Sequence, residues 1–247
     1  GHSIGRIAAL GVPELMKLLP PERRESFDGA ASLSRTAGER FVSEALEALE
    51  GMDARNVRAA LTRAVVALSA QGFIEGVALP LLHRVGELWA GGAICPAHEH
   101  LLSVQIARVL GGLADTIPLP DHPPVAVAAT PAGQRHEFGA LLASVVAAEE
   151  GWEVAYLGPD LPSVDIAAAV EARNASVLLL SVVTGSDAGA ATSEVREICA
   201  LLPAHVRILL GGSAAERAVK AVRRPTLSWL PDLDTLRASL RDMGEVE

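Results

Sequence analysis

The chain has 247 residues, of which 50% are hydrophobic and 21% charged, so it can bury the core of one large or two small domains and is not a disordered protein. Its formal charge of −9, from 21 Lys and Arg against 30 Asp and Glu, argues against sequence-independent binding to DNA or RNA. Two cysteines, the lack of a signal peptide and the lack of a long apolar run indicate a cytoplasmic protein without disulfides or a membrane span.

The first half of the chain is predicted to be helical. Residues 1–19 form two short helical pieces, and residues 20–35 form a linker. Over residues 36–115, apolar residues recur at helical spacing in four stripes, separated by Gly51-Met52-Asp53, Gln71-Gly72 and Gly91-Gly92. Asp53 is the expected N-cap of the second helix, and Pro96 opens the fourth. The short connections favour an antiparallel four-helix bundle.

A Pro-rich segment, residues 117–124, is predicted to be a stiff linker to a second domain, residues 124–247. Strands and helices alternate five times there, with strands over 125–129, 153–157, 177–183, 206–210 and 226–229, and helices over 137–150, 164–173, 192–202, 214–222 and 233–240. The predicted fold class is therefore an α+β two-domain protein, in which a four-helix bundle precedes a Rossmann-like, doubly wound α/β domain with a parallel five-stranded sheet.

Three loops at the carboxyl ends of predicted strands carry the main functional signal, because ligands of doubly wound sheets bind at those ends. They contain the motifs Gln134-x-His136-x-x-Gly139, Ser181-x-Val183 and Gly211-Gly212. Each motif has an ordinary explanation by itself, as a solvated histidine, a helix cap or a tight turn. The set is specific because of its spacing, with 41 residues (140–180) between the first two motifs and 27 residues (184–210) between the last two.

This set resembles the fingerprint of the cobalamin-binding domain family, which is Asp-x-His-x-x-Gly followed at those intervals by Ser-x-Leu and Gly-Gly. The resemblance covers residues 124 to about 244 and implies a cobalt corrinoid cofactor. It implies that His136 replaces the cofactor's own base as the lower axial ligand of cobalt, a role that suits a neutral imidazole. It further implies a nucleotide tail beside the sheet, with room made by glycines and a hydroxyl supplied by Ser181. The glycines are Gly139, Gly185, Gly211 and Gly212, and Gln134 and Val183 complete the implied cofactor-binding residues of this domain.

The resemblance has one departure in this domain. Gln134 stands where the family has an aspartate that hydrogen-bonds the far nitrogen of the histidine. An amide can accept a hydrogen bond, but it carries neither charge nor proton, and such partners tune the basicity of the ligand. We therefore expect simple coordination, and not an enzyme that cycles the oxidation state of cobalt with proton uptake.

A second motif lies in the predicted bundle, where Trp89 is followed after nine residues by Glu99-His100. Taken singly, the tryptophan suits a core position and the polar pair suits a helix start. The spacing resembles the Trp-x9-Glu-His motif of the MerR-type cobalamin photoreceptors, which repress carotenoid genes in the dark. In that family a helical bundle covers adenosylcobalamin, which implies that these three residues contact the adenosyl group. Ala90 stands where well-known members have a histidine that binds cobalt after illumination.

The start of the chain extends this resemblance. Residues 1–10 resemble the helix that follows the wing of a MerR DNA-binding domain, so residues 1–19 are interpreted as a remnant of such a domain. The winged helix-turn-helix itself is missing, and we expect no direct DNA binding by this chain.

The resemblance implies a non-enzymatic light sensor in which photolysis of adenosylcobalamin changes the packing of the bundle, and with it self-association or partner binding. One alternative is a corrinoid carrier for methyl transfer. Another is a photoreceptor with an additional bilin such as biliverdin, for which Ala90 and the glycines after it would leave room. A cofactor-free interaction module is a third, whereas dinucleotide binding is disfavoured because no Gly-x-Gly-x-x-Gly follows the first strand.

Overall fold

The computed structural model describes residues 38–183 and 188–244. The chain divides into two compact units, with the boundary between Leu102 and Ser103. The first unit is helical and the second is built on a five-stranded sheet, as the sequence predicted. The predicted elements within residues 1–37 lie outside the described residues, as does Gly185. In the described part of the chain, no helix has the length and apolarity needed to cross a membrane.

The helical unit contains the four predicted helical stretches. Helix α1 covers residues 38–50 and α2 covers Ala54–Ala67, and a third stretch consists of α3 (Ala70–Phe73), a π-helical turn (Ile74–Ala78) and α4 (Leu79–Ala90). Helix α5, Pro96–Ala114, follows and continues across the boundary between the units. The predicted N-cap is confirmed, because the Asp53 carboxylate accepts the backbone N–H of Asn56 at 3.0 Å.

The prediction that Gln71-Gly72 ends the second helix is wrong. That helix ends at Ala67, and the two residues lie in the first turn of α3. The hydroxyl of Ser69 accepts the backbone N–H of Gly72 at 3.0 Å, so this serine caps the start of a new helix. The capping serine therefore decides the local structure, and the glycine is tolerated inside the turn.

The π-helical turn is in close contact with α1. A Cβ atom added to Gly38 would lie 2.6 Å from the carbonyl oxygen of Gly76, so the two backbones approach each other without room for a side chain. Helices α1 and α2 are also joined by an ion pair, with 2.6 Å between Glu44 Oε2 and Arg63 Nη2. The interior of the unit is aliphatic and aromatic, with fully buried Val57, Leu61, Phe73 and Val77.

The sheet of the second unit is entirely parallel and has the strand order β2-β1-β3-β4-β5. The strands are β1 (Val125–Pro131), β2 (Glu153–Leu161), β3 (Val177–Ser181), β4 (Arg207–Gly211) and β5 (Leu227–Trp229). The helices are α6 (Phe138–Glu149), α7 (Ser163–Ala172), α8 (Ala188–Leu201), α9 (Ala215–Val222) and α10 (Leu233–Gly244). The central strand β3 is buried along its whole length, as its continuous apolar run predicted.

The strand order creates a switch point between β1 and β3. The chain leaves β1 toward the edge strand β2 and then crosses back to β3 on the other side of β1, so the loops after β1 and β3 lead away in opposite directions. Ligands of open α/β sheets bind in the crevice that forms at such a point. Two of the three predicted loop motifs therefore lie at the place where the topology favours a binding site.

Strands β1 and β4 end at Pro131 and Gly211, two residues and one residue beyond the prediction, and the ends of β2 and β3 differ as well. Strand β2 continues past residue 157 to Leu161, and β3 ends at Ser181 instead of residue 183. Beyond Ser181 the backbone N–H of Val182 still donates to Gly211 O at 2.9 Å, but the chain then turns into the loop. These differences arise from backbone bonds at the carboxyl edge, which the apolar pattern does not report.

Candidate functional site

The loop after β1, residues 132–137, is joined to the loop after β3 by Gln134. Its side chain is only 7% exposed, and its Oε1 atom accepts the backbone N–H of Val183 at 2.9 Å. Two of the predicted motifs are thereby held together at the switch point, by a bond between residues 49 positions apart. The amide oxygen of Gln134 is engaged with the neighbouring loop, and this gives the glutamine a structural role of its own.

The first half of the same loop is fixed by residues at the ends of β1 and β2. The buried hydroxyl of Thr130 bonds the carbonyl oxygen of Gln134 and accepts the backbone N–H of Asp160 at 3.0 Å. The carboxylate of Asp160 in turn accepts the backbone N–H of Gly133 at 2.7 Å. Asp160 has a positive φ of 63°, which aspartate tolerates better than most residues. These bonds connect the loop to the edge strand before it reaches His136.

The second half of the loop is fixed from the same strand. The phenol of Tyr156, on β2, donates to Glu137 Oε2 at 2.6 Å, and Glu137 directly follows His136. Burial and the neighbouring Glu137 carboxylate both raise the pKa of Tyr156 above its ordinary value of 10.0. The phenol therefore remains a neutral hydrogen-bond donor at physiological pH.

His136 lies between these two attachments and is exposed to solvent. It stands just before α6, at the carboxyl edge of the sheet. A neutral imidazole in that position has a nitrogen lone pair that a metal centre can reach from outside the protein. Among residues 38–183 and 188–244, no three or more His, Cys, Asp or Glu side chains are grouped so as to hold a metal ion between them.

The motif glycines differ in what surrounds them. A Cβ atom on Gly139 would lie 2.2 Å from Ser181 Oγ, and one on Gly212 would lie 2.2 Å from Val182 O, so both positions are closed by the protein's own atoms. Gly212 also has a φ of +97°, which favours glycine. A Cβ atom on Gly211 would meet nothing within 4 Å. The end of β4 therefore borders open space, while the other two glycines allow close packing around β3.

The second predicted motif lies in the helical unit, at the end of α4 and the start of α5. Trp89 is 55% exposed, so the alternative that this tryptophan fills the core is wrong. The Oε2 atom of Glu99 lies 3.3 Å from Nδ1 of the exposed His100. One residue before α5, Cys95 Sγ lies 3.2 Å from Nδ1 of His98. The motif thus presents an aromatic surface and a carboxylate–imidazole pair outside the core of its unit.

Both regions match known domain families. Residues 124–225 match one B12 binding domain model, and residues 42–112 match a second B12 binding domain model. The chain is 30% identical over 215 residues to the HTH-type transcriptional repressor CarH of Myxococcus xanthus, in an alignment covering 87% of this chain and 71% of CarH. The chain belongs to the MerR-type cobalamin photoreceptor family.

A second relative agrees with this family assignment, and a solved structure shares the fold. The HTH-type transcriptional repressor CarA of Myxococcus xanthus is 29% identical over 187 residues, covering 74% of this chain and 60% of CarA. The monomethylamine corrinoid protein of Methanosarcina barkeri superposes with a TM-score of 0.65, at 13% identity, covering 83% of this chain and 99% of that chain. This last similarity shows the fold alone.

Sequence reasoning missed four residues that hold the family's histidine loop in this chain. They all lie on or between β1 and β2, and they are Thr130, Glu137, Tyr156 and Asp160. A local signal was present, because residues 158–160, Gly-Pro-Asp, are typical turn formers directly after an apolar run. Apart from the bond of Thr130 to Gln134, their partners are 19 to 30 residues away, and a single sequence does not reveal such pairings.

Proposed function

We propose that this chain is a cytoplasmic, non-enzymatic light sensor that binds adenosylcobalamin, with His136 as the lower axial ligand of cobalt. One observation carries the proposal: an exposed imidazole stands at the switch point of the sheet, on a loop attached to the protein on both sides of it. Preorganised ligands of this kind favour binding, because less conformational entropy is lost when the complex forms.

The surroundings of His136 fit a corrinoid with an extended nucleotide tail. The open space beside Gly211 leaves room for such a group next to β3 and β4. Ser181 lies opposite Gly211 in the pairing of β3 with β4, and its hydroxyl supplies a polar group at the same end of the sheet. Gln134, Gly139, Val183 and Gly212 would contribute by shaping the loops, and Gly185 is proposed from the resemblance alone.

The proposal assigns the light response to the helical unit. Bound adenosylcobalamin supplies a carbon–cobalt bond that green light breaks. Trp89 would pack its exposed ring against the adenosyl group, and Glu99 and His100 would hydrogen-bond it. Loss of that group would remove contacts that exist in only one state, which is the condition for a ligand to shift a conformational equilibrium. We propose that the shift changes self-association or the binding of a partner.

The test is an absorption spectrum of the purified chain with adenosylcobalamin, recorded in the dark and after green light. In the dark, we expect the spectrum of a cobalamin whose own base does not coordinate cobalt. After illumination, we expect both the spectrum and the oligomer size to change. His136→Ala should weaken binding at least tenfold, or about 1.4 kcal/mol. His205→Ala is the matched control, because His205 is also an exposed histidine but precedes β4, at the amino ends of the strands.

The outcomes separate the proposal from its alternatives. An unchanged spectrum after light, or a His136→Ala variant with the parent's spectrum, would reject it. Tighter binding of methylcobalamin than of adenosylcobalamin would favour the corrinoid carrier. A bilin absorption band on addition of biliverdin would support the second chromophore. If the chain bound no cobalamin, the result would favour the cofactor-free interaction module.

A further inference from the structure

We propose that Tyr156 and Glu137 form a positioning pair, which fixes the direction in which His136 is presented to cobalt. This inference rests on the proposed function. Neither residue is proposed to touch the cofactor, because both act through the loop that carries the histidine. Their hydrogen bond, 2.6 Å between the phenol oxygen and Glu137 Oε2, is the first side-chain attachment after His136.

The bond has the properties of a strong one. A hydroxyl that donates to a carboxylate makes a shorter and stronger hydrogen bond than a neutral pair does. It is part-buried, so water competes for it less than at an open surface. The bond therefore resists thermal opening better than the exposed pair of Arg135 and Asp160, whose nearest charged atoms are 3.7 Å apart.

The position of Glu137 supports a role in the loop. Glu137 is the N-cap residue of α6, and its carbonyl oxygen accepts the backbone N–H of Leu141 at 3.0 Å. Its carboxylate makes no capping hydrogen bond to the helix and reaches across to β2 instead. Glu137 thus joins the end of the loop to α6 through its backbone and to the edge strand through its side chain. His136, the residue before it, has little freedom left at this end.

The position of Tyr156 completes the argument. In the pairing of β1 with β2, Tyr156 lies opposite Ala128 and Gly158 lies opposite Ala129, so Leu157 is an extra residue and β2 bulges there. Bulges bend a strand and redirect its side chains, often beside functional sites. Tyr156 binds the loop from one side of the bulge and Asp160 binds it from the other. Asp160 is attached to the loop before His136, at Gly133, and Tyr156 is attached to it after His136, at Glu137.

The experiment uses cobinamide, a corrinoid that lacks the nucleotide base, so that any nitrogen ligand must come from the protein. Binding is measured by absorption, and coordination is measured from the nitrogen splitting in the electron paramagnetic resonance spectrum of reduced cob(II)inamide. Tyr156→Phe and Glu137→Ala each remove the hydrogen bond. Glu137→Gln keeps an acceptor oxygen for the phenol and serves as the conservative rescue. Arg173→Gln is the matched control, because it removes an ion pair with Glu153 at the distant end of β2.

We expect Tyr156→Phe and Glu137→Ala to weaken cobinamide binding about tenfold and to reduce the nitrogen splitting, as changes in the partners of metal ligands do. The double variant should be no weaker than either single variant, since both remove the same bond. Arg173→Gln should retain the parent's affinity and splitting. Glu137→Gln keeps a weaker, neutral acceptor and should lie closer to the parent than Glu137→Ala does. A purely structural role would change the midpoint of thermal unfolding without this pattern.

Three results would overturn the inference. Parent-like splitting in both Tyr156→Phe and Glu137→Ala would show that the pair does not position His136, while leaving the proposed function intact. A Glu137→Gln variant as weak as Glu137→Ala would show that the charge matters and the hydrogen bond does not. A parent protein without His136-dependent splitting would reject the proposed function and the inference together. If Tyr156→Phe does not fold, the two Glu137 variants still decide between these results.

Discussion

A methyl group placed on the α-carbon of Gly139 would stand 2.2 Å from the hydroxyl oxygen of Ser181. These residues belong to two motifs separated by 41 positions, and the contact packs the start of α6 against the end of β3. The fixed spacing of the two motifs therefore has a packing explanation in addition to any role in binding. Helix α6 can approach the strand this closely only if one of the facing residues has no side chain.

Gly139→Ala is expected to lower the free energy of unfolding by about 1–3 kcal/mol, the usual effect of inserting a methyl group into a packed contact. Urea denaturation measures it. Combining the change with Ser181→Gly should recover part of the loss, because the second substitution removes the atoms that the methyl group meets. Gly211→Ala is the control, since its added methyl group meets nothing within 4 Å. Equal stability of the Gly139 and Gly211 variants would contradict the prediction.

Gly211→Val should separate binding from stability. Its Cβ atom would enter open space at the end of β4, so we expect the free energy of unfolding to change by no more than about 0.5 kcal/mol. The same side chain would occupy the room proposed for the cofactor tail and should weaken cobalamin binding strongly. Equilibrium titration with hydroxocobalamin measures the effect. An unchanged affinity for hydroxocobalamin would show that the cofactor tail does not occupy the space beside Gly211.

The two cysteines should differ in reactivity toward iodoacetamide. Hydrogen bonds from the His98 imidazole, and from the backbone N–H groups of Ala97 and His98, lower the pKa of the exposed Cys95 thiol. Burial raises the pKa of the half-buried Cys199 thiol. Because the thiolate is the reactive form, Cys95 should be alkylated first, and its reaction should begin at lower pH. Mass spectrometry of timed samples measures both rates, with Cys95→Ser as the control.

His98→Ala tests the cause of that difference. Without the imidazole, the alkylation rate of Cys95 should fall at neutral pH and approach that of the parent only at higher pH. A rate that is unaffected by the loss of His98 would attribute the reactivity of Cys95 to exposure alone.

The stability of the second unit should decrease in acid because of Glu150. Burial of this carboxylate, 8% exposed, opposes its ionisation, but hydrogen bonds from Arg241 and Arg237 outweigh burial and lower the pKa of Glu150 below its ordinary value of 4.5. A depressed pKa in the folded state gives stability that is present above the unfolded pKa and is lost as pH falls through the folded one. The free energy of unfolding should therefore decline below about pH 4.5.

Glu150→Gln should be less stable than the parent at pH 7 and should show a shallower decline in acid, so that the two curves converge at low pH. Chemical denaturation across a pH series measures this. Glu216→Gln is the control, because the pair of Glu216 with Lys220 lies on an exposed helix face and contributes little. Parallel curves for the parent and Glu150→Gln would rule out Glu150 as the source of the acid sensitivity.

The architecture could be predicted from the sequence because it depends on local patterns. Apolar runs such as residues 177–180 identify buried strands, and their alternation with helical stripes implies the parallel sheet. The boundaries were less accurate where two local signals compete, as at Ser69 and Gly72. There a hydroxyl cap begins a helix at the point where the glycine suggested an end.

The support of the candidate site could not be predicted, because it depends on pairings across the sheet. The bond between Gln134 and Val183 requires β1 and β3 to be neighbours, and the strand order is not encoded in any single segment. The bulge in β2 that separates Tyr156 from Gly158 is likewise a property of the pairing with β1. Motif spacing identified the residues proposed to meet the cofactor, but not the residues that hold them.

The π-helical turn at residues 74–78 affects the direction of every side chain that follows it in α4. Such a turn accommodates one residue more than a regular turn, and each residue of an α-helix advances the azimuth by about 100°. Deleting Gly76 would convert the segment to an uninterrupted α-helix and swing Trp89 through that angle. The direction of the Trp89 indole around the helix axis is thus set thirteen positions upstream, at Gly76, whose carbonyl group also contacts Gly38.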